Sequence, residues 1–135
     1  MDASCDIVLV HDAARPFLDE RLIRESISAA KRFGGCIAAV PVKDTVKLAG
    51  RNLFIAGTIE RSLVWAAETP QTFRYDLIMR AYKNAPRDKL KITDDSYLLE
   101  RLGARVKILM GSYRNIKITT REDLMLAGML LKDKR

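Results

Sequence analysis

Ile7-Val8-Leu9-Val10-His11-Asp12-Ala13-Ala14-Arg15-Pro16 is the stretch on which the reading of the fold turns. Its first four residues form a short, continuous, β-branched apolar run. That predicts a strand buried on both faces, as in parallel sheets. The strand ends on an acid, and an arginine follows three residues later. In open α/β sheets ligands collect beyond the carboxyl ends of strands, so this turn is a candidate site by position alone.

Working outward, Asp19 predicts an N-cap, with Glu20 in the first turn and Leu18 and Ile23 spaced for a hydrophobic staple. Leu22, Ile23, Ile27, Ala30 and Phe33 recur at helical spacing. Lys31 and Arg32 suit the last turn, and Gly34-Gly35 can end the helix with positive φ. Cys36-Ile37-Ala38-Ala39-Val40 reads as a second buried strand. Strand, helix, strand predicts a right-handed crossover and parallel pairing. The expected class is α/β, in one domain over residues 1–135.

Pro41 to Arg61 departs from this pattern. Val42-Lys43-Asp44-Thr45-Val46-Lys47-Leu48 alternates, Ala49-Gly50-Arg51-Asn52 can turn, and Leu53-Phe54-Ile55 returns. A hairpin with one exposed face is predicted. Inserted in an α/β chain it must project, and an exposed edge seeks a partner, so residues 41–61 are read as a dimerisation arm.

Arg61 to Thr69 reads as a connector carrying Trp65, and Pro70 restricts Thr69 to extended geometry. Arg74 to Lys83 reads as a helix with Tyr75, Leu77, Ile78 and Tyr82 on one side, followed by a loop over Asn84–Asp88. Thr93 predicts the cap of a short helix over Tyr97–Glu100. Val106–Met110 and Ile116–Ile118 read as strands. Thr119 and Glu122 predict a capping box for a last helix with Leu124, Met125, Ala127, Leu130 and Leu131 as its apolar face.

Composition narrows the class. The chain has 135 residues, 48% hydrophobic and 30% charged, enough to bury a core without staples. No apolar run approaches the roughly 18 residues of a membrane span. The acidic start Met1–Asp6 lacks the features of a signal peptide, which predicts a cytoplasmic protein with no membrane partner. Cys5 and Cys36 fit no metal or redox spacing and read as two buried thiols. With 24 Lys and Arg against 17 Asp and Glu, the formal charge of +7 suits an anionic ligand or simply a solvated surface. The bases are dispersed and not interleaved with aromatics, which argues against nucleic acid.

Several residues carry possible chemistry. Asp12, beside Arg15, can hold Mg²⁺, a hard cation that shares oxygen ligands with substrate phosphates; a loop-fixing aspartate is the competing reading. Arg15, Arg61 and Lys117 stand at turns or strand ends and can neutralise a phosphate; singly, each has the simpler reading of a surface charge. Thr45 and Thr69 can donate hydroxyls to an anion, or merely pack or cap. Thr93-Asp94-Asp95 is acidic enough for a metal, with a helix cap the simpler reading. His11 has no evident partner, and there is no Walker loop or Gly-x-Gly-x-x-Gly. The residues alone thus predict a basic strand-end cleft for a phosphorylated ligand.

Taken in order, His11–Phe17 (HDAARPF), Pro41–Lys47 (PVKDTVK), Thr69–Phe73 (TPQTF), Thr93–Asp95 (TDD) and Asn115–Thr120 (NIKITT) resemble the 2-C-methyl-D-erythritol 4-phosphate cytidylyltransferase family. The resemblance implies a partial Rossmann-like nucleotidyltransferase fold, a mostly parallel sheet with helices on both faces and a projecting arm. It implies transfer of CMP from CTP to 2-C-methyl-D-erythritol 4-phosphate with release of pyrophosphate, in non-mevalonate isoprenoid biosynthesis, with Mg²⁺ as cofactor. By motif, Asp12 resembles the Mg²⁺-linked aspartate that meets the substrate hydroxyls. Arg15 resembles the substrate-orienting arginine, and Lys117 the lysine beside the reacting phosphate. Thr45 and Arg61 match arm positions that hold the substrate phosphate of a neighbouring protomer, implying a homodimer. Thr69 and Thr93 match pocket threonines. The family's Gly-rich CTP loop has no counterpart before Asp12, so the chain is expected to be the C-terminal portion, incomplete for activity alone. Tyr113-Arg114 stand where some members have an acid that contacts substrate hydroxyls. Ribitol-5-phosphate cytidylyltransferase has similar motifs, with Pro41–Lys47 favouring the methylerythritol enzyme. A non-catalytic dimerisation module is the reading from another class.

Overall fold

A computed structural model of the chain describes residues 5–85 and 92–133. The elements are β1 (Ile7–Val10), α1 (Glu20–Phe33), β2 (Gly35–Pro41), β3 (Lys47–Ala49), β4 (Ile55–Thr58), a 3₁₀ turn (Arg61–Leu63), β5 (Trp65–Arg74), α2 (Tyr75–Asn84), α3 (Ser96–Arg101), β6 (Lys107–Met110) and α4 (Arg121–Lys132). The main sheet has the order β1-β5-β2-β6. β1, β2 and β6 run in one direction and β5 runs against them.

The α/β class is as expected, but the pairing of the first two strands is not. β1 and β2 are mutually parallel, yet β5 lies between them and pairs antiparallel with both. The segment read as a connector, Arg61–Thr69, supplies the 3₁₀ turn and the first half of this long inner strand. Proline cannot donate to a ladder, and Pro70 sits where the ladder breaks. Ile37 pairs with Gln71 but Ala39 pairs with Ala67, so Glu68, Thr69 and Pro70 lie opposite Ala38 alone. This bulge, with a cis Thr69–Pro70 bond, turns polar side chains toward the end of β1.

Helices cover both faces. On one, α1 packs Ala29 and Ala30 on Cys36, with Ile7 and Leu109 alongside. On the other, α2 and α3 pack Ile78, Ala81, Leu98 and Leu99 on Phe73. The ends of α1 follow the sequence reading: Asp19 accepts from the Arg21 N–H at 2.8 Å, and Gly34 closes the helix at φ +92°. Phe33 is exposed instead of packing, and carries the Arg32 guanidinium 5.0 Å from its ring centroid. Tyr82 is likewise exposed, its hydroxyl bonded to Asp95.

The hairpin forms its own two-stranded sheet, shorter than predicted, with Val42–Val46 outside it. Its turn is closed by Leu53 N–H to Gly50 O at 3.0 Å. Three later expectations need correction. Ile116–Ile118 is not a strand; the Ile118 N–H bonds instead to Ala14 O at 2.9 Å. The last capping box is Thr120 with Asp123, one residue beyond the predicted pair, because the Asp123 carboxylate reaches back to the Thr119 and Thr120 N–H groups. The α4 stripe is largely uncovered: only Ala127 is buried, while Leu124, Met125 and Leu131 are exposed. The loop predicted over Asn84–Asp88 lies outside the described residues beyond Ala85.

Candidate functional site

β1 ends at Val10, and the chain then folds over the β5 bulge. His11, read as partnerless, has two partners. Its Nδ1 lies 2.8 Å from Thr69 Oγ1 and its Nε2 lies 2.9 Å from Arg15 O. A carbonyl only accepts, so Nε2 carries a proton in this contact. The Asp12 N–H donates to Thr69 Oγ1 at 3.0 Å. His11 and Thr69 thereby fix the backbone of the 11–15 turn, which the Arg15 N–H to Asp12 O bond closes at 3.0 Å.

The turn brings together residues far apart in sequence. Asp12 Oδ2 accepts from Arg15 Nε at 3.1 Å and lies 3.2 Å from Lys117 Nζ. Arg15 Nη1 donates to Asn115 O at 2.6 Å, so the guanidinium bridges the two segments. Burial works to raise the Asp12 pKa, but the hydrogen bonds and charges of Lys117 and Arg15 outweigh it and hold the carboxyl below its usual value.

These groups line an open cleft of about 380 Å³, together with Thr69, Thr93, Glu68, Gln71, Asp94 and Asp95. The sequence led to a basic cleft; among the described residues, two cations, Arg15 and Lys117, line it together with four carboxylates, Asp12, Glu68, Asp94 and Asp95. Thr93 lines the cleft but does not cap α3. The N-cap position is Asp95, which makes no side-chain cap bond; the Asp94 carboxylate before it accepts from the Tyr97 N–H at 3.0 Å, from Ser96 Oγ at 3.1 Å and from Gln71 Nε2 at 3.1 Å. Thr45 and Arg61 stand exposed on the arm and do not line this cleft; Arg61 Nη1 donates to Lys43 O at 2.7 Å.

Sequence reasoning passed over two buried residues behind the cluster. Glu68 is 7% exposed and Asn115 1% exposed. Asn115 Nδ2 donates to Glu68 Oε2 at 3.2 Å and to Thr69 O at 2.8 Å. Burial raises the Glu68 pKa, offset in part by Asn115, the Ser112 N–H and the charge of Arg15. A glutamate two residues before a proline, inside a strand, was the available signal, since carboxylates are almost never fully buried unless paired. Gly111 makes room for it: a Cβ there would collide with Glu68 Oε2.

Asp12, Glu68, Asp94 and Asp95 are the carboxylates among the described residues that line the cleft. Among the described residues no three His, Cys, Asp or Glu side chains converge as a metal cage. The donor set fits Mg²⁺ only in its usual mode, with one carboxylate and the remaining oxygens from phosphate and water.

Over 131 residues the chain is 52% identical to 2-C-methyl-D-erythritol 4-phosphate cytidylyltransferase of Alkaliphilus oremlandii (strain OhILAs), covering 97% of this chain and 56% of that protein. It is 50% identical to the enzyme of the same name from Clostridioides difficile (strain 630), covering 97% and 55%. The crystal structure of 4-diphosphocytidyl-2C-methyl-D-erythritol synthase from Anaerococcus prevotii DSM 20548 superposes with a TM-score of 0.89 at 37% identity, covering 98% of this chain and 61% of that one. The cytidylyltransferase from Thermus thermophilus superposes with a TM-score of 0.84 at 34% identity, covering 96% and 63%. The chain thus spans little more than half the length of the curated relatives it matches. The family profile described as 2-C-methyl-D-erythritol 4-phosphate cytidylyltransferase (IspD) matches residues 1–133. With that profile covering residues 1–133 and relatives at 50–52% identity over 97% of its length, the chain belongs to the 2-C-methyl-D-erythritol 4-phosphate cytidylyltransferase family.

Proposed function

We propose that this chain forms the polyol-phosphate side of a cytidylyltransferase, which transfers CMP from CTP to 2-C-methyl-D-erythritol 4-phosphate in isoprenoid biosynthesis. The observation that carries the reading is the convergence of Arg15 and Lys117 on one oxygen of Asp12, at 3.1 and 3.2 Å, inside a cleft of substrate size. In the reaction a phosphate oxygen of the polyol phosphate attacks the α-phosphorus of CTP. That P–O bond forms as the bond to the β-phosphate oxygen breaks, and pyrophosphate leaves. No covalent enzyme intermediate is needed, so catalysis rests on positioning and charge.

Each residue then has a role. Lys117 offsets the charge that builds on the pentacoordinate phosphorus. Arg15 orients the polyol phosphate, and Asp12 accepts hydrogen bonds from polyol hydroxyls. Thr69 and Thr93 line the pocket. Asp12 would also give Mg²⁺ its one protein carboxylate, and the ion would add positive charge at the phosphates.

The mixed charge of the cleft supports a further element. Among the described residues, two cations against four carboxylates leave a phosphate dianion short of positive charge. In a homodimer, Arg61 of one arm would supply it to the neighbour's cleft, with the Thr45 hydroxyl donating a hydrogen bond beside it. The exposed Leu48, Leu53, Phe54 and Ile55 on that arm support burial against a second copy. No described helix is long and apolar enough to cross a membrane.

The test is pyrophosphate release with CTP, Mg²⁺ and either methylerythritol phosphate or ribitol 5-phosphate, in a full-length family enzyme carrying this stretch. Preference for methylerythritol phosphate is expected; preference for ribitol phosphate, or silence with both, overturns the reading. Mixing Arg61→Ala with Lys117→Ala protomers should restore activity that neither shows alone.

A further inference from the structure

Behind the cleft, a chain of contacts runs from a buried acid to the guanidinium that faces the substrate. Glu68 Oε2 takes a hydrogen bond from Asn115 Nδ2 at 3.2 Å and lies 3.4 Å from the Ser112 nitrogen. The second proton of the Asn115 amide goes to Thr69 O at 2.8 Å. Both amide protons are therefore spent on acceptors. Turning the amide over would set Asn115 Oδ1 against a carboxylate and a carbonyl, so Glu68 and Thr69 together hold the side chain in one orientation. Asn115 Oδ1 has no partner among the described residues although it is buried. Such an atom persists only where the surroundings hold the group firmly.

The other end of Asn115 meets the site. Its backbone carbonyl accepts from Arg15 Nη1 at 2.6 Å, and Lys117 lies two residues further along the same segment. Ser112 and Asn115 close a turn through Asn115 N–H to Ser112 O at 2.8 Å, and Glu68 contacts both residues. Gly111 leaves the space in which the carboxylate lies.

We infer that Glu68 is a positioning residue: through Asn115 it fixes the carbonyl that holds the Arg15 guanidinium. Glu68 itself makes no hydrogen bond to Arg15 and acts on substrate only through it. The inference rests on the proposed role of Arg15 in gripping the polyol phosphate.

Two measurements separate it from that role. Exchange of the Arg15 Nε–H with water, read by side-chain NMR on the chain itself, reports how firmly the guanidinium is held and needs no turnover. Glu68→Ala should speed this exchange about tenfold, as expected when the Asn115 carbonyl that anchors the charged group is loosened, while Glu68→Gln, which keeps an acceptor for Asn115, should stay near the unaltered rate. In the full-length enzyme, Glu68→Ala should raise KM for the polyol phosphate about tenfold with kcat within about twofold, and Glu68→Gln should restore it. Should Glu68→Ala fail to fold, Asn115→Ser, which shortens the link but keeps the backbone carbonyl, should give the same faster exchange. Unchanged Arg15 exchange in a folded Glu68→Ala or Asn115→Ser protein overturns the inference. A clear exchange effect with no change in KM leaves Glu68 holding Arg15 and overturns the substrate role of Arg15 instead.

Discussion

Replacing Asp12 by asparagine removes the negative charge on which two cations converge while keeping the shape of the side chain. The Arg15 side chain is 12% exposed and the Asp12 side chain 33%, so this contact lies toward the buried end of the range. The Lys117 side chain is 48% exposed and behaves as a solvent-screened partner. Such a screened pair contributes about 0.5 kcal/mol, and a charge-assisted hydrogen bond to the better-buried guanidinium about 1.5 kcal/mol. Asparagine can still accept one hydrogen bond, so Asp12→Asn should cost about 1–2 kcal/mol. For 135 residues the entropy of unfolding is about 280 cal/mol/K, and the loss corresponds to a fall in Tm of about 4–7 °C. The sign with pH follows from the direction of the Asp12 shift. Its folded value lies below the unfolded one, so the stabilisation is present above about pH 4 and fades as pH falls through the folded value. Calorimetry at pH 7 and in an acid series should show the gap between the two proteins open at neutral pH and close at low pH. A double-mutant cycle with Lys117→Met should give a coupling of about 0.5 kcal/mol. Equal Tm values at pH 7, or additivity of the two substitutions, would refute the geometry on which the site is built.

Three further outcomes are expected. Gly111→Ala sets a Cβ against Glu68 Oε2 and should destabilise the fold by about 1–3 kcal/mol in urea titrations; a neutral result would mean that Glu68 does not lie there. Burial raises the Glu68 pKa, so its ionisation costs stability as pH climbs from the unfolded value near about 4.3 through the folded one. Glu68→Gln should remove that slope, raising Tm at neutral pH and leaving it unchanged in acid. The Cys36 thiol, pushed up to about 11 by burial, should resist iodoacetamide at pH 8 in the native protein, whereas the half-buried Cys5 is alkylated first by mass spectrometry.

Much of this could be read from residue order because local rules and packing agree. The β1 run, the Asp19 and Gly34 ends of α1, and the turn of the arm each follow from side-chain chemistry within a few residues. Asp12, Arg15 and Lys117 were legible as candidates, though only the fold brings Lys117 to within 3.2 Å of Asp12. β5 was hidden because Glu68 and Pro70 interrupt its apolar pattern, and a strand that bulges in its middle has no regular period to detect. Glu68 and Asn115 were hidden for a related reason: their burial depends on contacts between segments more than 40 positions apart. The stripe of α4 was legible, but helical spacing reveals only that a face is apolar and says nothing of what lies against it.

The bulge in β5 imposes a rule of counting on this protein. Beyond it, Thr72 bonds to Ser26 under α1 while Phe73 enters the opposite layer with Leu98 and Leu99. Adding or deleting a single residue between 68 and 70 would exchange these two side chains, driving a phenyl ring under α1 and a hydroxyl into the apolar layer. Divergence can therefore rewrite the identities of residues 68–70, but a one-residue insertion or deletion there would set the two core layers against each other.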